Sequence, residues 1–206
     1  GNEAFVSPTE TSGHAGGIVG NSGGGSTAGC DGGIIAGCVN FGKVRASGAA
    51  GIVYQAREGT GIQYCANRSE VAATLVAVGL VGQIDWGGCT LESSYTAGNV
   101  TLNGKGGETA IAYPIAGIVK YFMGQYPSYT VKKCYNDNDV FPCDENGTLA
   151  GANINMIECY SVATSVFASG EPAYKMGSWY GLRWKQNIAE PYEEGKIPED
   201  YPNITG

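Results

Sequence analysis

The sequence has 206 residues and a formal net charge of -7, and only 15% of its residues are charged. That balance offers no basic footprint for nucleic acid or an anionic membrane surface, and no apolar run approaches the ~20 residues that span a bilayer. Thirty-four glycines without a three-residue period exclude collagen, and 43% hydrophobic content argues against disorder.

Ile- and Val-rich runs between turn residues predict a short-stranded all-β fold with one core. Residues 1–14 read as a polar leader or first cap. Gly1 reads as a processing end, so any signal or anchor is expected outside this sequence. His14, the single histidine, falls in that leader, a poor place to hold a Ser-His-Asp or Cys-His geometry.

Residues 15–167 carry a two-part repeat. The first part is Gly-aliphatic-Val, at Gly17-Ile18-Val19, Gly51-Ile52-Val53, Gly79-Leu80-Val81 and Gly117-Ile118-Val119. The second occurs five times: Ile35/Cys38/Asn40/Val44, Ile62/Cys65/Asn67/Val71, Leu91/Ser94/Thr96/Val100, Val131/Cys134/Asn136/Val140 and Met156/Cys159/Ser161/Val166. A repeat of roughly 27 residues is too long for a hexapeptide coil and fits a wider solenoid, in which each rung buries its apolar face only by stacking on the next. The expected architecture is a right-handed parallel β-solenoid (β-helix) of about five rungs. The repeat's glycine permits a tight corner or close backbone approach.

Stacking assigns the cysteines. Cys38, Cys65, Cys134 and Cys159, with Ser94, share one repeat position, and adjacent rungs sit about 4.8 Å apart. A disulfide prefers Cβ atoms ~3.8 Å apart, so a ladder of buried, reduced thiols is expected. Cys30, Cys89 and Cys143 lie off the ladder and their pairing stays open. Asn40, Asn67 and Asn136 are expected to take left-handed turn conformations or to bond one another along the coil.

The run Gly23–Gly29 lacks the Gly-Lys-Ser/Thr ending of a phosphate loop and reads as a turn. No Cys-x-x-Cys or His-Glu-x-x-His is present, so no metal or cofactor is expected. Asp137, Asp139, Asp144 and Glu145 crowd oxygens that suit Ca²⁺, though Asp and Asn are routine turn formers, which is the preferred reading. Insertions lengthen 101–116, 120–130 and 141–155, and insertions into a coil gather on one face.

Tyr95, Tyr135 and Tyr160 each follow the ladder position, so they are expected to point outward. With Tyr121, Phe122, Tyr126 and Tyr129 of the insertion they form the expected binding face; cross-strand stacking is the competing role. Residues 168–206 hold Tyr174, Trp179, Trp184 and Tyr201 and an acidic run from Glu190 to Asp200, expected to cap the coil's end.

Gly17-Ile18-Val19-Gly20, the Ile-x-x-Cys-x-Asn element and the tail residues Ala168–Tyr174, Trp184–Asn187 and Asp200–Pro202 together resemble the GLUG-type β-solenoid repeats of bacterial secreted and cell-surface proteins. The resemblance implies an extracellular, non-catalytic scaffold or adhesion module of a larger surface protein, with a glycan or host protein as partner. The alternative is a polysaccharide-cleaving β-helix, a lyase or glycoside hydrolase. Its candidate acids, Asp85, Glu92, Asp137 and Asp139, would need carboxylates roughly 5–9.5 Å apart, and their repeat positions give no reason to converge.

Overall fold

The computed structural model describes residues 13–22, 33–57, 59–85, 89–103, 110–119, 129–143, 147–179, 181–186 and 201–205. Strands follow one another at short intervals and return in cycles. The first cycle is β1 (His14–Gly16), β2 (Val19–Ser22), β3 (Ile34–Ala36) and β4 (Val39–Asn40); the second is β5 (Val44–Ala50), β6 (Val53–Arg57), β7 (Gly61–Gln63) and β8 (Ala66–Asn67). The third is β9 (Val71–Val78), β10 (Val81–Asp85), β11 (Thr90–Glu92) and β12 (Tyr95–Thr96). The fourth is β13 (Val100–Leu102), β14 (Ile111–Tyr113), β15 (Ala116–Val119), β16 (Tyr129–Lys132) and β17 (Tyr135–Asp137), and β18 (Ile154–Ile157) and β19 (Tyr160–Val162) close the series.

Each strand pairs in parallel with its counterpart in the next cycle, giving four sheets. Sheet A is ordered β1-β5-β9-β13, sheet B β2-β6-β10-β15, sheet C β3-β7-β11-β16-β18 and sheet D β4-β8-β12-β17-β19. This all-β arrangement of parallel sheets fits a parallel β-helix. The insertion after β13 is absorbed within sheet A: β13 pairs with the first half of β9 and β14 with its second half. No helix among the described residues is long and apolar enough to cross a membrane.

The aliphatic column of sheet C runs Ile35, Ile62, Leu91, Val131 and Met156 in direct register. These residues pack inside with Ile52, Leu80, Ile84 and Ile115. β-Branched and Leu side chains suit such a half-buried pleat. Ile62, Leu91 and Val131, in the middle cycles, are fully buried.

The fourth Gly-aliphatic-Val copy is displaced from its expected place. Val53 and Val81 align with Ala116, not Val119, so Pro114-Ile115-Ala116 takes the repeat position and Ile115 is the buried residue. A fifth copy, hidden in the sequence, is Thr148-Leu149-Ala150: Ala150 bridges to Ala116 and the Ile115 amide donates to the Leu149 carbonyl at 3.0 Å. The glycines explain the slip. A Cβ on Gly17, Gly51 or Gly79 would lie 2.2, 2.1 or 2.0 Å from the carbonyl oxygen of Gly51, Gly79 or Pro114 in the next cycle. Gly117 belongs to a second column, where its Cβ would meet the Gly82 carbonyl oxygen. Glycine-for-glycine matching therefore joined two different columns.

The corner between sheets C and D is also periodic. Gly37, Tyr64, Ser93, Lys133 and Glu158, each immediately before the ladder position, all have φ between 49° and 67°. Four of these five are not glycine, so stacking holds side chains in a region they rarely occupy. Asn40, Asn67 and Asn136, expected to turn left-handed or to bond along the coil, lie in β4, β8 and β17 and bond along it. Asn40 Nδ2 donates to Asn67 Oδ1 at 2.9 Å, and Asn136 Nδ2 to the Ser161 hydroxyl at 2.8 Å.

After β19 the chain forms α1 (Thr164–Ala168) and α2 (Glu171–Met176), then an antiparallel sheet of β20 (Ser178–Trp179), β21 (Leu182–Lys185) and β22 (Asn203–Thr205). Helices this short do not persist alone. Phe167, Ala173 and Met176 anchor them by packing with Tyr64, Tyr95, Tyr135 and Trp184. The tail expected to cap the coil's end packs, in its described residues, along the flank of sheet D instead. Its acidic run, 190–200, lies outside the described residues.

Candidate functional site

The residues of the expected binding face do not stay together on one open surface. Tyr95, Tyr135 and Tyr160 do share one column of sheet D, aligned pair by pair. The column is not open: Tyr95 and Tyr135 are buried, and only Tyr160 is exposed, at 45%. Phe167, Trp184 and Tyr201 cover it, with the Trp184 and Tyr95 rings 5.0 Å apart edge to face. Burial, aided by the nearby Tyr160 and Glu171 charges, pushes the Tyr135 hydroxyl up to about 12. Tyr129 is also buried, inside the coil, where it heads β16. Tyr121, Phe122 and Tyr126 lie outside the described residues. The column is closed because an aromatic column removes more area from water beneath the chain's own apolar tail than it would left open.

Polar clasps fasten that tail. Tyr95 donates its hydroxyl to the Pro202 carbonyl at 2.7 Å, and Trp184 Nε1 to the Ser93 carbonyl at 2.7 Å. Arg68 reaches Asn203 at 3.0 Å and lies over the Tyr201 ring at 5.2 Å. Asp137, fully buried, accepts bonds from the Tyr201 and Thr164 hydroxyls and from the Asp139 and Val140 amides. Asp139 Oδ2 accepts from the Thr164 amide at 2.8 Å. These two acids, considered for calcium or catalysis, therefore tie the tail to the coil; Asp144 and Glu145 lie outside the described residues.

Asp85 is buried against sheet B, where the Gln83 and Gln55 amides both donate to its carboxylate and Arg57 stands 4.0 Å away. His14, expected in the leader, lies in β1 paired to Gly48 and stacks on the Tyr54 ring at 4.4 Å. The sheet thus starts three residues before the first Gly-Ile-Val, which begins at Gly17.

The ladder cysteines all carry free thiols, but only Cys65 and Cys134 are buried, while Cys38 and Cys159 at the ends are half-buried. Ser94 is fully buried and donates to the Glu92 carbonyl at 2.8 Å. A hydrogen bond from the Cys65 thiol lowers Cys38 to about 7, and the same contact together with burial drives Cys65 far up. Cys134 acts likewise on Cys159, which is lowered. Of the off-ladder cysteines, Cys89 is buried and Cys143 half-buried, and Cys30 lies outside the described residues.

Among the described residues, what remains open is the outer face of sheet C. Two rows lie there in register: Ile34, Gly61, Thr90, Thr130 and Asn155, and Ala36, Gln63, Glu92, Lys132 and Ile157. The second row places an amide, a carboxylate and an amine on successive strands. Where sheet C meets the tail, a cleft of about 130 Å³ is lined by Gln63, Tyr64, Glu92, Ser93, Lys133, Met176, Gly177 and Ser178. The Met176 carbonyl accepts from the Ser93 hydroxyl at 2.8 Å and from Tyr64 at 3.3 Å. Gln63 lines this cleft, and its Oε1 is buried without a hydrogen-bond partner. The outer row was within reach of the sequence, since each member directly follows a ladder aliphatic. The cleft was not, because its far wall comes from residues 176–178.

No family model, curated protein or solved structure matches this chain.

Proposed function

We propose that the chain is a single right-handed parallel β-solenoid of about five turns, acting as a non-catalytic repeat scaffold of a bacterial surface or secreted protein, and that it contacts a glycan through the outer face of sheet C. The observation that carries this reading is the Gln63–Glu92–Lys132 row running into a polar cleft that Gln63 and Glu92 line. Amide, carboxylate, hydroxyl and amine groups alternate there as donors and acceptors, which suits the hydroxyl-rich surface of a sugar chain. The cleft is well below the roughly 300 Å³ of a pocket that swallows a ligand. It therefore takes one substituent, while the flat strands support the rest. The bacterial, extracellular setting rests on the likeness of the repeat and tail motifs to GLUG-type arrays.

The test is a glycan array followed by titration of the best ligand against Gln63→Ala, Glu92→Gln and Lys132→Ala. Binding that weakens at least tenfold in these variants with unchanged melting supports the reading. A hit that survives all three, or selective capture of protein rather than glycan ligands, contradicts it. Release of reducing ends or unsaturated sugars from the array's polysaccharides would replace the scaffold with the cleaving alternative.

A further inference from the structure

We infer that this coil associates head to tail with a second copy of itself, the first cycle of one molecule seating on the last cycle of the next. Among the described residues β1, β2, β3 and β4 each pair on one side only, and at the far end so do β18 and β19. Unpaired parallel strands offer rows of free amides and carbonyls. The first edge also exposes large apolar side chains beside the polar His14 and Asn21: Ile34 is 62% and Phe41 64% exposed.

The polarity of the free groups selects the partner. In a parallel ladder alternate residues bond to opposite neighbours. β3 reaches β7 through the Gly33 carbonyl and the Gly37 amide, so Ile34 and Ala36 direct their amides and carbonyls to the open side. At the other end the Ile157 carbonyl accepts from the Lys133 amide, so Met156 directs its groups outward. Inside the coil the same two positions meet at every step: Gly61, aligned with Ile34, donates backward to β3, while Thr60 accepts forward from Thr90. A second copy laid head to tail therefore repeats an interface the molecule already uses four times within sheet C. It places Met156 against Ile35, Cys159 against Cys38 and Ser161 against Asn40, extending each ladder. Two first edges facing each other would bring like positions together with opposed strand polarity. Head-to-tail contact does not close on itself, so the product is an open filament rather than a dimer.

Sedimentation velocity of the whole chain over a wide concentration range tests this. Wild type is expected to grow into a ladder of oligomers. Ile34→Lys at the first edge and Ile157→Lys at the last should each be monomeric, since a lysine on an edge strand blocks pairing; Leu75→Lys, exposed on a strand paired on both sides, should grow as wild type does. An equimolar mixture of Ile34→Lys and Ile157→Lys should form dimers and stop, because one intact edge survives on each partner. If Ile34→Lys melts early, Ile18→Lys at the same end serves in its place. A monomeric wild type, a Leu75→Lys variant that fails to grow, edge variants that still associate alone, or a mixture without dimers would each overturn the inference.

Discussion

The hydroxyl of Tyr201 donates to the buried carboxylate of Asp137 at 2.7 Å, joining the chain's last described segment to the fourth cycle of the coil. Asp137 is fully buried, and a buried carboxylate is tolerated only when its oxygens are filled. Removing one donor therefore costs more than one average hydrogen bond. Tyr201→Phe is expected to destabilise by about 1.5–3 kcal/mol, a fall of roughly 3–12 °C in melting temperature for a chain of this size. Thermal unfolding followed by circular dichroism checks it; a change under about 1 °C would mean the tail is not clasped there.

The thiols divide by position in the ladder. Cys38, lowered to about 7 by the Cys65 thiol, is a thiolate for most molecules once the pH passes that value, because a depressed pKa moves ionisation to lower pH. Its alkylation rate is expected to rise roughly tenfold between about pH 6 and pH 8 and then level off. Cys65 and Cys134, buried with thiols pushed far up, should label only in denaturant. Peptide mapping after timed alkylation decides this, and early labelling of Cys65 would contradict the ladder.

Gly51→Ala should be among the most damaging single-methyl changes available. Its Cβ would stand 2.1 Å from the Gly79 carbonyl oxygen, and backbone cannot swing aside as a side chain does. The expected loss is about 3 kcal/mol or more. Gly20→Ala, with nothing within 4 Å, should change stability by less than about 0.5 kcal/mol. Equal denaturant midpoints for the two variants would contradict the glycine columns.

The sequence made the aliphatic column of sheet C legible from Ile35 to Met156, because one repeat position maps onto one register. It misplaced Val119 for a physical reason: Gly117 and Gly79 look alike as letters but relieve clashes in different columns. The left-handed corner was invisible, since Tyr64, Ser93, Lys133 and Glu158 share a backbone conformation and no side-chain chemistry. The outward direction of Tyr95 and Tyr135 followed from strand alternation. Their burial did not, because it depends on where Phe167, Trp184 and Tyr201 pack, and no periodicity encodes that.

The most direct test of the account is tetranitromethane nitration of the native protein, mapped by mass spectrometry. The central claim is that the tyrosine column is closed by the chain's own tail, leaving sheet C as the open face. Tyr174, 88% exposed, and Tyr160 are expected to be nitrated quickly, while Tyr95 and Tyr135 resist until the protein unfolds. Nitration of Tyr95 and Tyr135 in the folded protein at the rate of Tyr174 would show the column open and contradict the account.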